Sequence, residues 1–252
     1  MAKVSIIIPT LNSAKHLKST LDSVKNQTMD DFDVLVIDDG SFDDTIEIIR
    51  EYSKTDNRFY LLNGDRLGPG SARAKGILES RSDFIAFLDS DDIWMIDKLE
   101  RQIGFMEANA ISFTYTKFKT ISDLGQETSQ LISPKGSITF NQYFCIRGIV
   151  NSSVVVRREL FSNEILSKTQ YPSEDLRWWF LILKNHCGYL APIDGVRYRI
   201  SKNSISSKNK IKNLISVWMI YTKEHSIRIP IAFIYMVMYI LDVIWRRAAH
   251  KK

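Results

Sequence analysis

Short apolar runs alternate with amphipathic segments along the first ninety residues. The apolar runs are rich in β-branched residues and predict buried strands at residues 4–9, 34–37, 59–62 and 84–88. The segments between them predict helices at residues 13–27, 45–52 and 71–79, the first of which Ser13 would cap. Continuous apolar strands separated by helices indicate an α/β fold, in which a mostly parallel sheet has helices on both faces.

Acidic residues follow two of these strands directly. Asp38 and Asp39 come after the second strand, and Asp89, Asp91 and Asp92 come after the fourth. Open sheets of this kind bind ligands beyond the carboxyl ends of their strands, so we expect both groups in one site. Carboxylates held together raise one another's pKa unless a cation or strong hydrogen-bond donors compensate. An Asp-x-Asp pair at a strand end therefore favours Mg²⁺ or Mn²⁺, which also bind water and substrate phosphates.

The second acidic group also has a structural interpretation. Asp91 or Asp92 would then cap the next helix, and Asp97 would be a surface residue. For Asp92 both interpretations stay open, whereas the acidic group at the neighbouring strand end favours a functional role for Asp89 and Asp91.

Five motifs, taken in order, resemble those of the inverting glycosyltransferases of family 2, which have the GT-A fold. They are VSIIIPTLN at residues 4–12, DDGS at 38–41 with Asp-Thr at 44–45, GPGSARAKG at 68–76, DSD at 89–91 and SED at 173–175. The resemblance implies a Rossmann-like GT-A catalytic domain at residues 1–206, which leaves residues 207–252 as a C-terminal extension.

The first two motifs of this resemblance imply a nucleotide cleft. Pro9, Thr10 and Asn12 would line it, and Asp39 would accept the imide N–H of a uracil, which makes a UDP-sugar the expected donor. A carboxylate at this position would favour uracil over cytosine. For Asp39 the alternative is a turn-forming aspartate before Gly40.

The third and fourth motifs imply the diphosphate side of the donor site. Arg73 would lie on the nucleotide or donor-sugar side, Asp89 would contact the ribose, and Asp91 would bind the Mn²⁺ or Mg²⁺ ion that bridges the diphosphate. That ion would neutralise the charge that accumulates on the departing UDP. The Asn that often follows the arginine in this family is Ala74 here, which weakens the assignment of Arg73.

The fifth motif begins a predicted helix and implies the catalytic base. Ser173 would cap the helix, and by resemblance Asp175 would take the proton of the acceptor hydroxyl, with Glu174 as the second candidate. A single base and in-line displacement need no covalent intermediate. An acid in a first turn is also stabilised by the helix dipole, which is the structural alternative for both residues.

One segment departs from the family pattern. Residues 198–206 resemble the loop that closes over the donor diphosphate, and Ser204 in this loop is expected among the donor-binding residues. The histidine that many relatives have there is Ser201 in this chain, so this metal ligand is missing and Arg199 or Lys202 would supply positive charge instead.

The cysteines and the first strand indicate a reducing compartment. Cys145 and Cys187 lie far apart, without CxxC spacing or histidines at ligand spacing, so neither a disulfide framework nor a zinc site is predicted. The first strand begins at about Val4, which leaves no room for a cleaved signal peptide. We therefore expect the catalytic part in the cytoplasm.

Positive charge is concentrated in the C-terminal extension. The net charge of the chain is +5, and residues 207–252 hold nine Lys or Arg residues against Glu224 and Asp242. The first 206 residues are therefore slightly acidic, and no nucleic acid partner is expected. The extension also contains an apolar run at residues 229–241, which is shorter than the roughly 18 to 20 residues that span a bilayer.

Arginines flank this apolar run on both sides. A basic amphipathic helix suits an anionic membrane interface, into which Phe233, Tyr235 and Met236 would insert. The alternative is a helix that packs on the domain or on a second subunit. A membrane surface is thus an expected partner, and the oligomeric state stays open.

The acceptor can be inferred only by analogy. A short family member with a basic amphipathic tail is similar to bacterial enzymes that extend a sugar on undecaprenyl diphosphate, for O-antigen or capsule, at the cytoplasmic face of the inner membrane. The transferred sugar would be a hexose or an N-acetylhexosamine. Trp178 and Trp179 are candidates to stack on a sugar, although at least one of them is expected in the core.

Three other functions explain the sequence less well. A sugar-nucleotide pyrophosphorylase would need an N-terminal glycine-rich loop to hold a triphosphate, and residues 9–12 offer none. A non-catalytic membrane-bound scaffold would have lost the expected acids, which are all present. A dehydrogenase would need GxGxxG spacing, whereas the glycines at residues 68 and 70 lack it and follow the third strand.

Overall fold

Among the residues that the structure describes, nine strands form one mixed sheet at the centre. The computed structural model describes residues 2–129, 131–132, 136–144, 149–167, 169, 173–200, 210–225 and 227–249. The strands are β1 (Val4–Thr10), β2 (Phe32–Asp38), β3 (Phe59–Asn63), β4 (Phe84–Phe87), β5 (Ile93–Trp94), β6 (Phe113–Ile121), β7 (Ser137–Ile138), β8 (Val155–Arg157) and β9 (Gly188–Arg199). Their order is β3-β2-β1-β4-β8-β6-β9-β5, with β7 paired to β9. β1 to β4 are mutually parallel, whereas β5, β7 and β8 are antiparallel to their neighbours.

Helices cover both faces of this sheet. They are α1 (Ala14–Lys25), α2 (Thr45–Thr55), α3 (Pro69–Glu79), α4 (Lys98–Ala108), α5 (Phe140–Tyr143), α6 (Asn163–Leu166), α7 (Glu174–Leu183), α8 (Lys210–Met219) and α9 (Ile229–Ala249), with short 3₁₀ turns at Asn151–Ser153 and Arg158–Leu160 and a π-helical turn at Ile220–Glu224. α1, α2 and α4 pack on one face, and α3, α7 and the C-terminal helices pack on the other. The expected α/β fold, a mostly parallel sheet between helices, is therefore confirmed.

The alternation of side chains along β1 explains the two helical layers. Ile6 and Ile8 are fully buried on the face that carries Leu17 of α1, whereas Ile7 is fully buried on the α3 face. A Cβ at Gly76 of α3 would be 2.8 Å from the side chain of Ile7. The absent side chain lets α3 approach the sheet closely, which fixes the position of its first turn at the carboxyl edge of the strands.

The predicted elements of the first ninety residues are confirmed, but the predicted helix caps are not. Ser13 occupies the N-cap position of α1 without a capping hydrogen bond from its side chain. The interpretation that Asp91 or Asp92 caps the next helix is wrong, because α4 begins only after Asp97. Between the acidic group and α4, residues Ile93–Trp94 form strand β5, which pairs with β9. The backbone directly after the acidic group is therefore extended and not helical.

The C-terminal helices share an apolar core with the N-terminal part of the chain. Val217, Tyr221 and Ala232 are at most 1% exposed and belong to the apolar cluster that also contains α7. The ring of Tyr235 in α9 stacks on Phe144, with 4.7 Å between the ring centroids. α8 and α9 therefore pack on the domain, which was the alternative to a helix that only binds a membrane.

The outward face of α9 is apolar as well. Tyr235 and Met236 pack against the core, so they do not face a membrane as expected, whereas Phe233 is 63% exposed. Further exposed apolar residues follow along the helix: Ile234, Val237, Met238, Ile240 and Leu241. Among the described residues, no helix has both the length and the apolar content that crossing a bilayer requires.

The half-buried side chain of His225 packs against the aromatic cluster between the C-terminal helices and the domain. Its ring centroid lies 5.0 Å from that of Phe180 and 5.3 Å from that of Phe140, and neither ring nitrogen has a hydrogen-bond partner among the described residues. Burial, followed by the charges of Lys184 and Arg177, lowers the pKa of His225 to about 4, while Glu224 opposes the shift. The folded chain therefore holds this imidazole neutral at pH values where an unfolded chain would protonate it.

We expect His225 to make the fold sensitive to acid. Because its folded pKa lies below the unfolded value, the stabilisation it gives is complete above about pH 6.5 and is lost as the pH falls towards 4. His225→Phe removes the titrating group from an aromatic site. Between pH 7.5 and 4.5 the wild-type melting temperature should fall by about 3 °C more than that of the variant, as measured by circular dichroism.

The exposed His186 provides the control, since His186→Gln should leave the acid dependence of the wild type unchanged. Equal slopes of melting temperature against pH for wild type and His225→Phe would contradict the assignment.

Candidate active site

The parallel strands bring both acidic groups to one edge of the sheet. Thr10 at the end of β1 is paired in register with Asp38 at the end of β2, and β4 ends beside β1 on its other side. The N–H of Asp39 donates to the carbonyl of Thr10 at 2.8 Å, which joins the two loops beyond the strands. The expected meeting of the acids at one edge is thus a consequence of strand register.

The end of β1 shapes one wall of this edge. Pro9 is buried within the strand, and the hydroxyl of Thr10 donates to the carbonyl of Ile37 at 3.3 Å. Asn12 has a left-handed backbone with φ of 50°, its N–H donates to Ser41 Oγ at 2.8 Å, and its Oδ1 accepts the N–H of Phe42 at 3.0 Å. Asn12 therefore ties the loop after β1 to the loop after β2.

Asp39 is held with one carboxylate oxygen unused. It is 7% exposed, and its Oδ2 accepts the N–H of Gly68 at 2.8 Å. Its Oδ1 is buried and has no hydrogen-bond partner in the described part of the chain, and a Cβ at Gly64 would be only 2.7 Å from it. Gly64 thus packs closely beside an acceptor to which no described residue donates. This arrangement suits a ligand with an N–H group.

Asp92 has a structural position. It is fully buried, and its carboxylate accepts the backbone N–H of Arg199 at 2.7 Å and the hydroxyl of Ser152. Burial, followed by the charges of Asp89 and Asp91, raises the pKa of Asp92 well above its usual range. Asp92 therefore links the segment after β4 to β9 and is buried beneath the surface of the open edge.

Asp91 lies in the same group but faces the edge. It is half-buried, and no side chain of a described residue donates a hydrogen bond to its carboxylate. Burial, followed by the charge of Asp89, raises the pKa of Asp91 to about 6, although Arg199 opposes the shift. The described residues contain no group of three His, Cys, Asp or Glu side chains that could hold a metal ion by themselves. A cation here would need further oxygen ligands from outside the chain.

Arg199 supplies positive charge beside Asp91 but is bound to the backbone. Its Nε donates to the carbonyl of Asp91 at 2.7 Å, and its Nη1 donates to the carbonyls of Ser122 and Asp123 at 2.9 and 3.1 Å. The side chain therefore holds the turn after β6 against the acidic group. Two other residues expected to bind the donor, Lys202 and Ser204, lie outside the described residues, as does Ser201.

The first turn of α7 reaches the same edge from the opposite face. Ser173 is at the N-cap position without a side-chain capping bond. Glu174 is 4% exposed and pairs with Arg73 of α3. Asp175 is half-exposed; its Oδ1 accepts the N–H of Leu176 at 2.8 Å, and its Oδ2 bonds to no described residue. Asp175 is therefore the acid of this turn that is open to a ligand.

The two tryptophans of α7 belong to the core. Trp178 is fully buried and Trp179 is 1% exposed, and both rings contact Phe87 of β4. The expectation that at least one of them packs in the core is confirmed. Both are buried, so neither indole ring is open to a sugar.

Ser152 is a residue of the site that the sequence did not single out. Its Oγ accepts the N–H of Asp89 at 3.0 Å and donates to the carboxylate of Asp92, while its carbonyl accepts the indole N–H of Trp94 at 2.8 Å. The only local signal is a polar Asn-Ser-Ser turn before a strand, which predicts a loop but gives no indication of its partners.

Comparison with known proteins identifies related chains. Residues 5–164 match the family described as Glycosyl transferase family 2. The chain is 36% identical over 225 residues to the UDP-Glc:alpha-D-GlcNAc-diphosphoundecaprenol beta-1,3-glucosyltransferase WfgD of Escherichia coli, and the match covers 85% of this chain and 83% of WfgD.

Solved structures share the fold at lower identity. S. aureus TarS 1-349 in complex with UDP-GlcNAc has a TM-score of 0.70 at 20% identity, and the match covers 87% of this chain and 66% of the TarS chain. The mannosyltransferase PcManGT from Pyrobaculum calidifontis, in complex with GDP-Man and Mn2+, has a TM-score of 0.68 at 15% identity, with 99% of this chain and 73% of PcManGT covered. These neighbours confirm the GT-A fold.

Melting temperatures can test whether Asp92 supports the fold and Asp91 does not. Asp92→Ala removes the acceptor of two buried donors, so we expect the melting temperature to fall by about 5 °C, which corresponds to about 2 kcal/mol. Asp91→Ala relieves repulsion without removing a described side-chain hydrogen bond, so its melting temperature should equal or exceed that of the wild type. Thermal unfolding in EDTA measures both. A similar loss in the two variants would mean that Asp91 also supports the fold.

Proposed function

The chain belongs to glycosyl transferase family 2, and from this membership we propose that it transfers a hexose or N-acetylhexosamine from a UDP-sugar to a saccharide hydroxyl with inversion. One observation carries the proposal. Among the described residues, a single edge of the sheet gathers an aspartate with an unpartnered acceptor oxygen, Asp39, a carboxylate to which no side chain donates, Asp91, and a first-turn carboxylate open to a ligand, Asp175. These are the groups that a uracil, a diphosphate-bound cation and an acceptor hydroxyl would each need.

The free oxygen of Asp39 supports a uracil nucleotide. Uracil has an imide N–H that can donate to Oδ1. Cytosine has a nitrogen without hydrogen at that position, so two hydrogen-bond acceptors would face each other. Pro9, Thr10 and Asn12 would form the wall beside the base. The names of two relatives agree, because WfgD is named for UDP-Glc and TarS is solved with UDP-GlcNAc.

The carboxylate of Asp91 fits a divalent cation. A half-buried acid with a raised pKa, to which no described side chain donates, would be stabilised by a cation, and Mn²⁺ and Mg²⁺ are the ions that prefer such oxygen ligands. When bound, the ion would neutralise the charge that gathers on the leaving UDP. Asp89 beside it would contact the ribose. PcManGT, which shares the fold, is solved with Mn2+.

Asp175 is the proposed base. It lies in the first turn of α7, and its Oδ2, which bonds to no described residue, is available to take the proton of the acceptor hydroxyl. Glu174, the second candidate, is buried and paired with Arg73, which favours Asp175. The hydroxyl attacks the face of the sugar opposite the diphosphate, so the configuration inverts.

The acceptor is proposed to be a saccharide on a lipid diphosphate. WfgD is named for GlcNAc-diphosphoundecaprenol, and such an acceptor must be met at a membrane surface. The exposed apolar row of α9, which follows the basic Arg228, supports peripheral binding to the cytoplasmic face of the inner membrane. Synthesis of surface polysaccharide is the corresponding process.

Transfer assays test the donor, the cation and the base together. The chain is incubated with UDP-Glc, UDP-Gal or UDP-GlcNAc and a synthetic GlcNAc-diphospholipid, and products are analysed by mass spectrometry and by NMR for anomeric configuration. We expect one UDP-sugar to be used with inversion, EDTA to abolish transfer, and Mn²⁺ or Mg²⁺ to restore it. Asp175→Asn should lower kcat by about 10²-fold or more while the Kd for the UDP-sugar changes little. Collapse of donor affinity in this variant would contradict a base role, and retention of configuration would contradict the mechanism.

Membrane binding is testable on the outward face of α9. Truncation is unsuitable, because it would remove core residues such as Tyr221. Substitution of three exposed residues, Ile234→Gln, Val237→Gln and Leu241→Gln, removes apolar area without touching the core. Binding to vesicles with anionic phosphatidylglycerol, measured by sedimentation, should weaken by at least about tenfold. High salt should weaken wild-type binding without abolishing it.

Leu78→Gln is the matched control, since Leu78 is an exposed apolar residue of α3 and should leave vesicle binding unchanged. Unchanged binding of the triple variant would contradict the membrane proposal. A dimer of the wild type that the triple variant breaks would identify the same face as a subunit contact.

A further inference from the structure

Arg73 joins two elements of the candidate site, the first turn of α7 and the segment after β4. It is a residue of α3 with 8% exposure. Its Nη1 pairs with Glu174 in the first turn of α7, and its Nη2 donates to Asp89 Oδ1 at 2.6 Å, directly after β4. The guanidinium thus bridges the acid beside the proposed cation and the helix that carries the proposed base.

The helix that carries Arg73 is closely packed against the segment before α7. A Cβ at Gly70 would collide with the carbonyl of Thr169 and would lie 2.6 Å from Cγ of Glu174. At the other end of α3, Gly76 makes a similarly close approach to the sheet. α3 is therefore wedged between the sheet and α7, which leaves the arginine little freedom to move towards a ligand.

The hydrogen-bonding groups of Arg73 are directed into the protein. Both terminal nitrogens are engaged by carboxylates, and Nε is buried without a partner. Burial would lower the pKa of Arg73, but the charges of Asp89, Glu174 and Asp175 outweigh it and raise the pKa. The arginine thus stays charged and compensates a buried glutamate that would otherwise have no described cation.

We infer that Arg73 is a positioning residue, which holds the first turn of α7 and thereby sets Asp175 relative to the donor end of the site. The inference rests on the proposed role of Asp175 as the base. It replaces the expected role of Arg73 as a contact of the nucleotide or donor sugar. Asp89 keeps its second oxygen for the donor, so one carboxylate would serve both the ribose and the arginine.

Kinetics separate a positioning role from donor binding. Arg73→Met keeps the length of the side chain and removes the charge, so α7 loses its tether and Asp175 shifts. We expect kcat to fall by about 10²-fold, the size that a misplacement of about 1 Å produces, while the Kd for the UDP-sugar changes by less than about threefold. Arg73→Lys should recover part of kcat because it retains one ion pair. A large loss of donor affinity with little change in kcat would overturn the inference.

A double-mutant cycle tests the contact itself. Arg73→Met leaves Glu174 buried and unpaired, so this variant is compared with Glu174→Gln and with the double variant, in which both charges are removed and the fold is retained. Positioning through the pair predicts that the double variant loses no more kcat than the more impaired single variant. If the fold-loss of kcat in the double variant equals the product of the losses in the two single variants, the residues act separately and the inference is overturned. Lys75→Met, on the same helix, should be fully active.

The Asp175→Asn background distinguishes this inference from the proposed function. If Asp175 is the base, Arg73→Met should cause almost no further loss of kcat in that background. A further loss of similar size to that in the wild type would overturn the positioning role and leave the base intact. Full activity of Asp175→Asn alone would instead refute the base, and the inference would fall with it.

Discussion

The compensation of negative charge at one sheet edge is the constraint on which the candidate site depends. The acids after β4 and those of α7 lie on either side of Arg73, and burial makes each of them costly while it is unpaired. Two buried arginines place positive charge beside these acids: Arg73 pairs with two of the carboxylates, and Arg199 donates to backbone carbonyls next to the acidic group. Asp91 is half-buried, no described side chain donates to it, and this is the physical reason for proposing it as the cation ligand.

Long-range contacts, more than the local stability of its helix, determine the geometry of α7. Arg73 holds its first turn, and one turn later the buried Arg177 donates to the carbonyls of Ile165 and Ser167 and pairs with Glu224 of the C-terminal extension. The acid proposed as the base therefore lies between two residues whose ion pairs tie α7 to α3 and to the C-terminal extension. A site assembled in this way is sensitive to changes far from its reacting groups.

The strands, the helices and the meeting of the acids were predictable because they depend on local periodicity and on the rule that parallel strands end at one edge. The partners of those acids were not. Nothing near Ser152 indicates that it bridges Asp89 and Asp92, and Arg199 gave no sign that its guanidinium would bind backbone carbonyls. Each such contact joins residues that are tens of positions apart, and polarity alone does not select between partners. For the same reason, apolarity in α9 did not reveal that Tyr235 would face the protein.

The shared core between α7 and the C-terminal helices has a consequence for cooperativity. Val217 and Tyr221 are buried in the same apolar cluster as the tryptophans of α7, so exposing one group exposes the other. Elements that share a core in this way unfold together, and their backbone amides should exchange with solvent at a common rate. We therefore expect the smallest autonomous folding unit of this chain to extend beyond residue 206 and to include α8.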